Sequence, residues 1–108
     1  MDLMKPADLS KAQAEHHLLD VREDDEWQAG HIEGAQHIPL GELGDRVGEL
    51  PTGRHIVAVC RSGSRSAAAV RGLKQLGYDA LNLDGGVTAW SRAGLPLVDD
   101  NGLAGRVI

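Results

Sequence analysis

The run Ile56-Val57-Ala58-Val59-Cys60-Arg61-Ser62-Gly63-Ser64-Arg65-Ser66 decides how this chain is read. A short apolar stretch ends abruptly in the only cysteine. Small polar residues, a glycine and two arginines follow, and then an alanine-rich segment. This is the grammar of strand, tight loop and helix. The unbroken apolar run suits a central strand covered on both faces. Cys60 falls where that strand stops, the edge of a parallel α/β sheet at which ligands bind.

Working outward, the same alternation repeats along the chain. Residues 64–76 read as a helix with Ala69, Val70, Leu73 and Leu76 on its apolar side, capped by Gly77. Residues 80–83 form the next strand, and Asp84-Gly85-Gly86 turns into a helix over 87–92 that Gly94 stops. Upstream, residues 17–21 are a buried strand. Residues 23–29 are a short helix with an acidic first turn, ended by Gly30. Residues 35–38 are a brief strand, and residues 40–50 a helical stretch broken by three glycines. A first helix is expected over 6–15, preceded by room for a short edge strand. Strands alternating with helices over short connections imply an α/β fold with a central parallel sheet of about five strands and helices on both faces. One domain over 1–108 is expected, with its core in 4–97 and a loosely packed tail in 98–108.

The 108 residues suit one domain with a core of its own. With 42% apolar residues, no Phe, two Trp and one Tyr, that core is built from Leu, Val, Ile and Ala. The net charge of −5 argues against a nucleic-acid or anionic-membrane surface. The charge is unevenly spread. Residues 60–77 hold Arg61, Arg65, Arg71 and Lys74 and no acid, giving +4, while the remainder carries −9. A basic island in an acidic chain points to a small anionic ligand. A single cysteine excludes an internal disulfide and a Cys-rich zinc site. No signal-peptide pattern and no membrane-length apolar run are present, so a cytoplasmic location is expected.

The loop carries the chemistry. A thiol is a nucleophile only as thiolate, and a helix N-terminus or nearby cations lower its pKa. Cys60 has both, from the helix starting near Ser64 and from Arg61 and Arg65. Gly63 allows a positive φ that lets successive N–H groups converge into an anion nest. Ser62, Ser64 and Ser66 offer hydroxyl donors or helix caps. A lone cysteine at a strand end is ordinarily an inert small hydrophobe. Cysteine, two arginines, glycine and three serines in seven consecutive residues reverse that preference.

The loop Cys-Arg-Ser-Gly-Ser-Arg resembles the active-site loop of rhodanese-type sulfurtransferases. Leu18-Leu19-Asp20-Val21-Arg22-Glu23 resembles the family's first signature. Glu26, Gly30-His31-Ile32-Glu33-Gly34-Ala35 and Ile38-Pro39 resemble its second. Leu83-Asp84-Gly85-Gly86, Ala89-Trp90 and Gly94-Leu95-Pro96 resemble its C-terminal part. The likeness covers about residues 18–97 in the family's order. It implies a rhodanese fold and sulfur transfer by double displacement. Cys60 would attack the sulfane sulfur of a donor such as thiosulfate or a persulfide, release sulfite from thiosulfate, and carry a persulfide. A thiophilic acceptor would then take the sulfur: cyanide in the standard assay, or a cellular thiol such as a thioredoxin-like protein. Loop N–H groups would stabilise the terminal sulfur. No metal or organic cofactor is implied. Arg61, Ser62, Gly63, Ser64, Arg65 and Ser66 would form the anion-binding loop.

Cysteine-dependent phosphatases resemble Cys, five residues, Arg. Here Arg65 follows Cys60 after four, and Ser66 takes the phosphatase arginine position. The shorter cradle suits one sulfur atom better than a phosphoryl group. A non-catalytic binding or redox-sensing module is the other alternative, since folds of this kind serve as adaptors; the presence of Cys60 favours the enzyme. Asp20 and Arg22, at the same sheet edge as Cys60, are supporting residues, with Asp20 expected to pair with backbone donors or an arginine near the active loop. His31 is expected to anchor its loop. The other histidines show no metal-ligand spacing. Trp90 is read as core or pocket wall, and the acids from Glu23 to Glu26 as a solvated helix start.

Overall fold

The computed structural model describes residues 2–108. Five parallel strands form one sheet in the order β1-β5-β4-β2-β3. They are β1 (Leu3–Met4), β2 (His16–Asp20), β3 (Gln36–His37), β4 (His55–Val59) and β5 (Ala80–Leu83). The helices are α1 (Pro6–Lys11), α2 (Asp24–Ala29), α3 (Leu43–Arg46), α4 (Ser64–Gln75) and α5 (Gly86–Arg92). β4 lies in the middle, paired to β2 over Leu18↔Val57 and Asp20↔Val59 and to β5 over Val57↔Leu81. The edge strand before Pro6 is present and pairs with β5 through Leu3↔Asn82.

Two cores lie on the two faces of the sheet, and strand parity assigns each side chain. Ile56, Ala58 and Cys60 share one core with Leu43, Ala69, Val70 and Leu73, on the α3 and α4 side. Val57 and Val59 belong to the other, with Leu9, Leu83, Val87 and Trp90. Successive strand residues face opposite ways. Cys60 therefore points toward α4 because it lies two residues beyond Ala58 and four beyond Ile56.

Four sequence expectations are corrected. The first helix stops at Lys11 and is followed by a 3-10 turn over Gln13–Glu15. Leu9 is its one buried residue, so packing does not extend it, and His16 Nδ1 bonds the Ala12 carbonyl as the chain enters β2. Leu76 does not join the apolar side of α4. It lies past the helix end and is exposed, and Tyr78 packs against that core instead. Gly30 ends α2 in an extended conformation (φ 175°), so left-handed capping is not its role. A Cβ there would overlap the Arg106 backbone.

The last correction concerns residues 98–108, which are largely exposed but held in place by backbone hydrogen bonds rather than loose. Val98 bridges His31 and Ala104, Arg106 N–H donates to the Ala29 carbonyl at 2.9 Å, and Gly105 lies against Gly30. Of the two glycines that read as mobility, Gly105 is a close-approach position between two backbones and Gly102 a turn residue at φ +79°.

Candidate active site

β4 ends at Val59, so Cys60 is the first residue off the sheet, and α4 begins four residues later. Between them the chain turns back through Gly63, which adopts φ +114° at the helix N-cap. The turn aims the loop amides at the sulfur. Gly63 N–H donates to Cys60 Sγ at 3.0 Å and Ser66 Oγ donates to it at 3.2 Å. Cys60 is 1% exposed. Burial pushes its thiol pKa up. The Ser66 hydroxyl and the N–H groups of Ser66, Gly63 and Ser62 together push it down further, leaving the thiol below its ordinary value.

The loop is also held from behind. Val87 N–H donates to the Cys60 carbonyl at 2.9 Å and Thr88 N–H to the Arg61 carbonyl at 3.1 Å. The first turn of α5 thus binds the outward carbonyls, leaving the opposite edge of the loop to face the sulfur. This contact explains the second glycine of Asp84-Gly85-Gly86. A Cβ on Gly86 would overlap the Cys60 and Arg61 carbonyl oxygens, and its φ is +60°.

The basic residues of the loop have separate fates. Arg65 donates from Nη1 and Nη2 to the two carboxylate oxygens of Glu26, at 2.6 and 2.9 Å. Glu26 also accepts from Glu23 N–H at 3.1 Å. The Arg65 hydrogen bond is the main reason the Glu26 pKa falls to about 2; partial burial opposes it, and the Glu23 N–H and the charges of Arg65 and Arg22 assist. The acidic start of α2 is therefore not simply solvated, because Glu26 is turned inward onto the loop arginine. Arg61 is exposed and donates from Nε to the Ile108 carbonyl. Ser62 and Ser64 are exposed, and Ser66 is fully buried.

Asp20 and Arg22 form a separate buried unit. Asp20 Oδ1 accepts Arg22 N–H and Nε–H at 3.0 Å, and Oδ2 accepts Nη2 at 2.8 Å. Nη2 also donates to the Gly30 carbonyl at 2.7 Å. Among the described residues, no hydrogen bond joins this pair to residues 60–66. His31 anchors its loop through backbone bonds to Val98, a bond from its ring to the Trp27 carbonyl, and a stack on Trp27 at 3.6 Å. Trp90 is core, its Nε1–H donating to the Pro96 carbonyl. Sequence reasoning missed one side chain of the site, Asn82 on β5. Its Nδ2 donates to the Gly63 carbonyl at 2.9 Å, and its Oδ1 accepts from Ser66 at 2.5 Å. A single amide in an otherwise apolar strand was the available signal.

The rhodanese-like domain model matches residues 5–93. The chain belongs to the rhodanese-like family. Its relatives include a sulfurtransferase of Allochromatium vinosum, 43% identical over 86 residues that make up 79% of this chain and 80% of that protein. An HTH-type transcriptional regulator of Mycobacterium tuberculosis is 47% identical over 91 residues, 82% of this chain; that stretch is 40% of the regulator's length. Among solved structures, a rhodanese-related protein of Thermoplasma volcanium superposes with a TM-score of 0.88 at 35% identity, covering 91% of this chain and 98% of that one. The five-stranded parallel sheet is the rhodanese-like fold expected from the sequence.

Proposed function

We propose that this rhodanese-like protein is a sulfurtransferase whose persulfide carrier is Cys60. The observation that carries the reading is the sulfur itself, a buried thiol with lowered pKa held by Gly63 N–H and the Ser66 hydroxyl. In the first step the Cys60 thiolate attacks the outer sulfur of thiosulfate. A new S–S bond forms, the bond to the sulfonate sulfur breaks, and sulfite leaves with that electron pair. Cys60 then carries a persulfide with negative charge on the outer sulfur, facing the loop N–H groups. In the second step a thiophilic acceptor attacks the outer sulfur and the electron pair returns to Sγ. Cyanide serves in vitro, and cellular thiols, including one on a thioredoxin-like protein, fit the same step.

Arg65 fits a donor-binding role despite its ion pair. A guanidinium has five N–H donors, and Glu26 occupies two. Those remaining can meet an anionic donor while Glu26 fixes the side chain. Arg61 adds positive charge at the rim. Asp20 and Arg22 support the sheet edge without touching sulfur.

Intact mass after thiosulfate treatment tests the reading. The wild-type chain gains one sulfur atom and Cys60→Ser gains none. No adduct on the wild type, together with no thiocyanate formed from cyanide, overturns it in favour of a binding or redox-sensing module.

A further inference from the structure

Ser66 Oγ carries one proton and lies within reach of three acceptors. They are Asn82 Oδ1 at 2.5 Å, Cys60 Sγ at 3.2 Å and the Gly63 carbonyl at 3.3 Å. A hydroxyl donates one hydrogen bond at a time. Cys60, Ser66 and Asn82 are 1%, 0% and 7% exposed, so water is poorly placed to supply a substitute donor. The Asn82 amide is not free to turn. Its Nδ2 is committed to the Gly63 carbonyl, which sets Oδ1 toward Ser66.

We propose that Asn82 is a positioning residue that competes with the Cys60 sulfur for the single Ser66 proton. When the sulfur is a neutral thiol it is a weak acceptor, and Oδ1 keeps the proton. When the sulfur is a thiolate, a charge-assisted bond roughly twice as strong draws the hydroxyl to it. Resting on the sulfurtransferase reading, the same competition acts in turnover. The inner sulfur of the persulfide is neutral and leaves the proton with Asn82. As the acceptor takes the outer sulfur, the S–S electron pair collects on Sγ and the hydroxyl rotates onto it. That bond is made as charge develops, which favours the transition state over the ground state.

Alkylation by iodoacetamide, followed by intact mass across pH, reads the thiolate of the only cysteine and needs no sulfur transfer. Its failure is therefore separable from that of the sulfurtransferase reading. Ser66→Ala raises the midpoint by removing the donor. Asn82→Ala lowers it by about half a pH unit, which is about a threefold larger thiolate fraction below the midpoint. In the Ser66→Ala background, Asn82→Ala leaves the midpoint where it is. An upward shift, no shift in the wild-type background, or an equal shift in both backgrounds overturns the proposal. Should Asn82→Ala not fold, Asn82→Asp keeps the side-chain shape. It raises the midpoint more with Ser66 present than in Ser66→Ala, and an equal rise refutes the competition.

Discussion

Two arginine–carboxylate pairs stand near the same edge of the sheet, and they differ in almost everything but charge. Asp20–Arg22 spans two residues of sequence and is sealed, at 1% and 0% exposure. Glu26–Arg65 spans 39 residues, and its arginine remains partly open to solvent. The first pair exchanges bonds with its own backbone and the Gly30 carbonyl, and so fixes the turn leaving β2. The second joins α2 to the sulfur loop. A buried charge with its partner removed is costly, whereas a partly exposed pair contributes little to folding. Identical chemistry therefore serves architecture in one place and, in the other, leaves a partly open arginine beside the sulfur loop, where the proposed function puts the anionic donor.

The sharpest way to break this contrast is Asp20→Ala. It leaves the Arg22 guanidinium buried without its carboxylate and lowers stability by about 3–5 kcal/mol. Denaturant titration measures it, and a loss under about 1 kcal/mol would make the two pairs equivalent. Arg65→Ala probes the other side. Folding changes by less than about 1 kcal/mol, while turnover with thiosulfate falls about tenfold, or ~1.4 kcal/mol in the transition state. Unchanged kinetics at unchanged thermal stability would remove Arg65 from donor binding. The smallest effect is in acid. Glu26 titrates at about 2 in the folded chain against an ordinary 4.5, so its contribution is complete above about 4.5. It is lost as pH falls from there toward about 2. The stability difference between wild type and Glu26→Gln should narrow across that window in urea melts. A difference independent of pH would show that the carboxylate charge is not what matters.

Much of this was legible in the sequence. Parity along Ile56, Ala58 and Cys60 gives the direction of the sulfur, and Gly63 before an alanine-rich helix gives the turn. Asp20 calls for backbone donors or an arginine near the active loop, and it finds both in Arg22, whose N–H and guanidinium lie two residues away rather than in residues 60–66. What could not be read depends on residues meeting across long separations. Glu26 resembles a helix-start acid until α4 brings Arg65 to it. Asn82 resembles a tolerated polar residue until the turn of Gly63 is placed over β5. The tail failed for a related reason. Its acids and glycines carry no apolar pattern, and its order comes from backbone bonds to residues 28–31, which local periodicity does not report.

Gly86 has a kinetic consequence. Because α5 begins by donating to the Cys60 and Arg61 carbonyls, the sulfur loop cannot fray without uncapping that helix. An opening that lifts the Cys60 and Arg61 backbone off α5 breaks the Val87 and Thr88 hydrogen bonds, and Val87 belongs with Trp90 to the core on the other face of the sheet. The backbone of the cradle is thereby tied to a core that its sulfur does not share, so local opening of α5 would loosen both together.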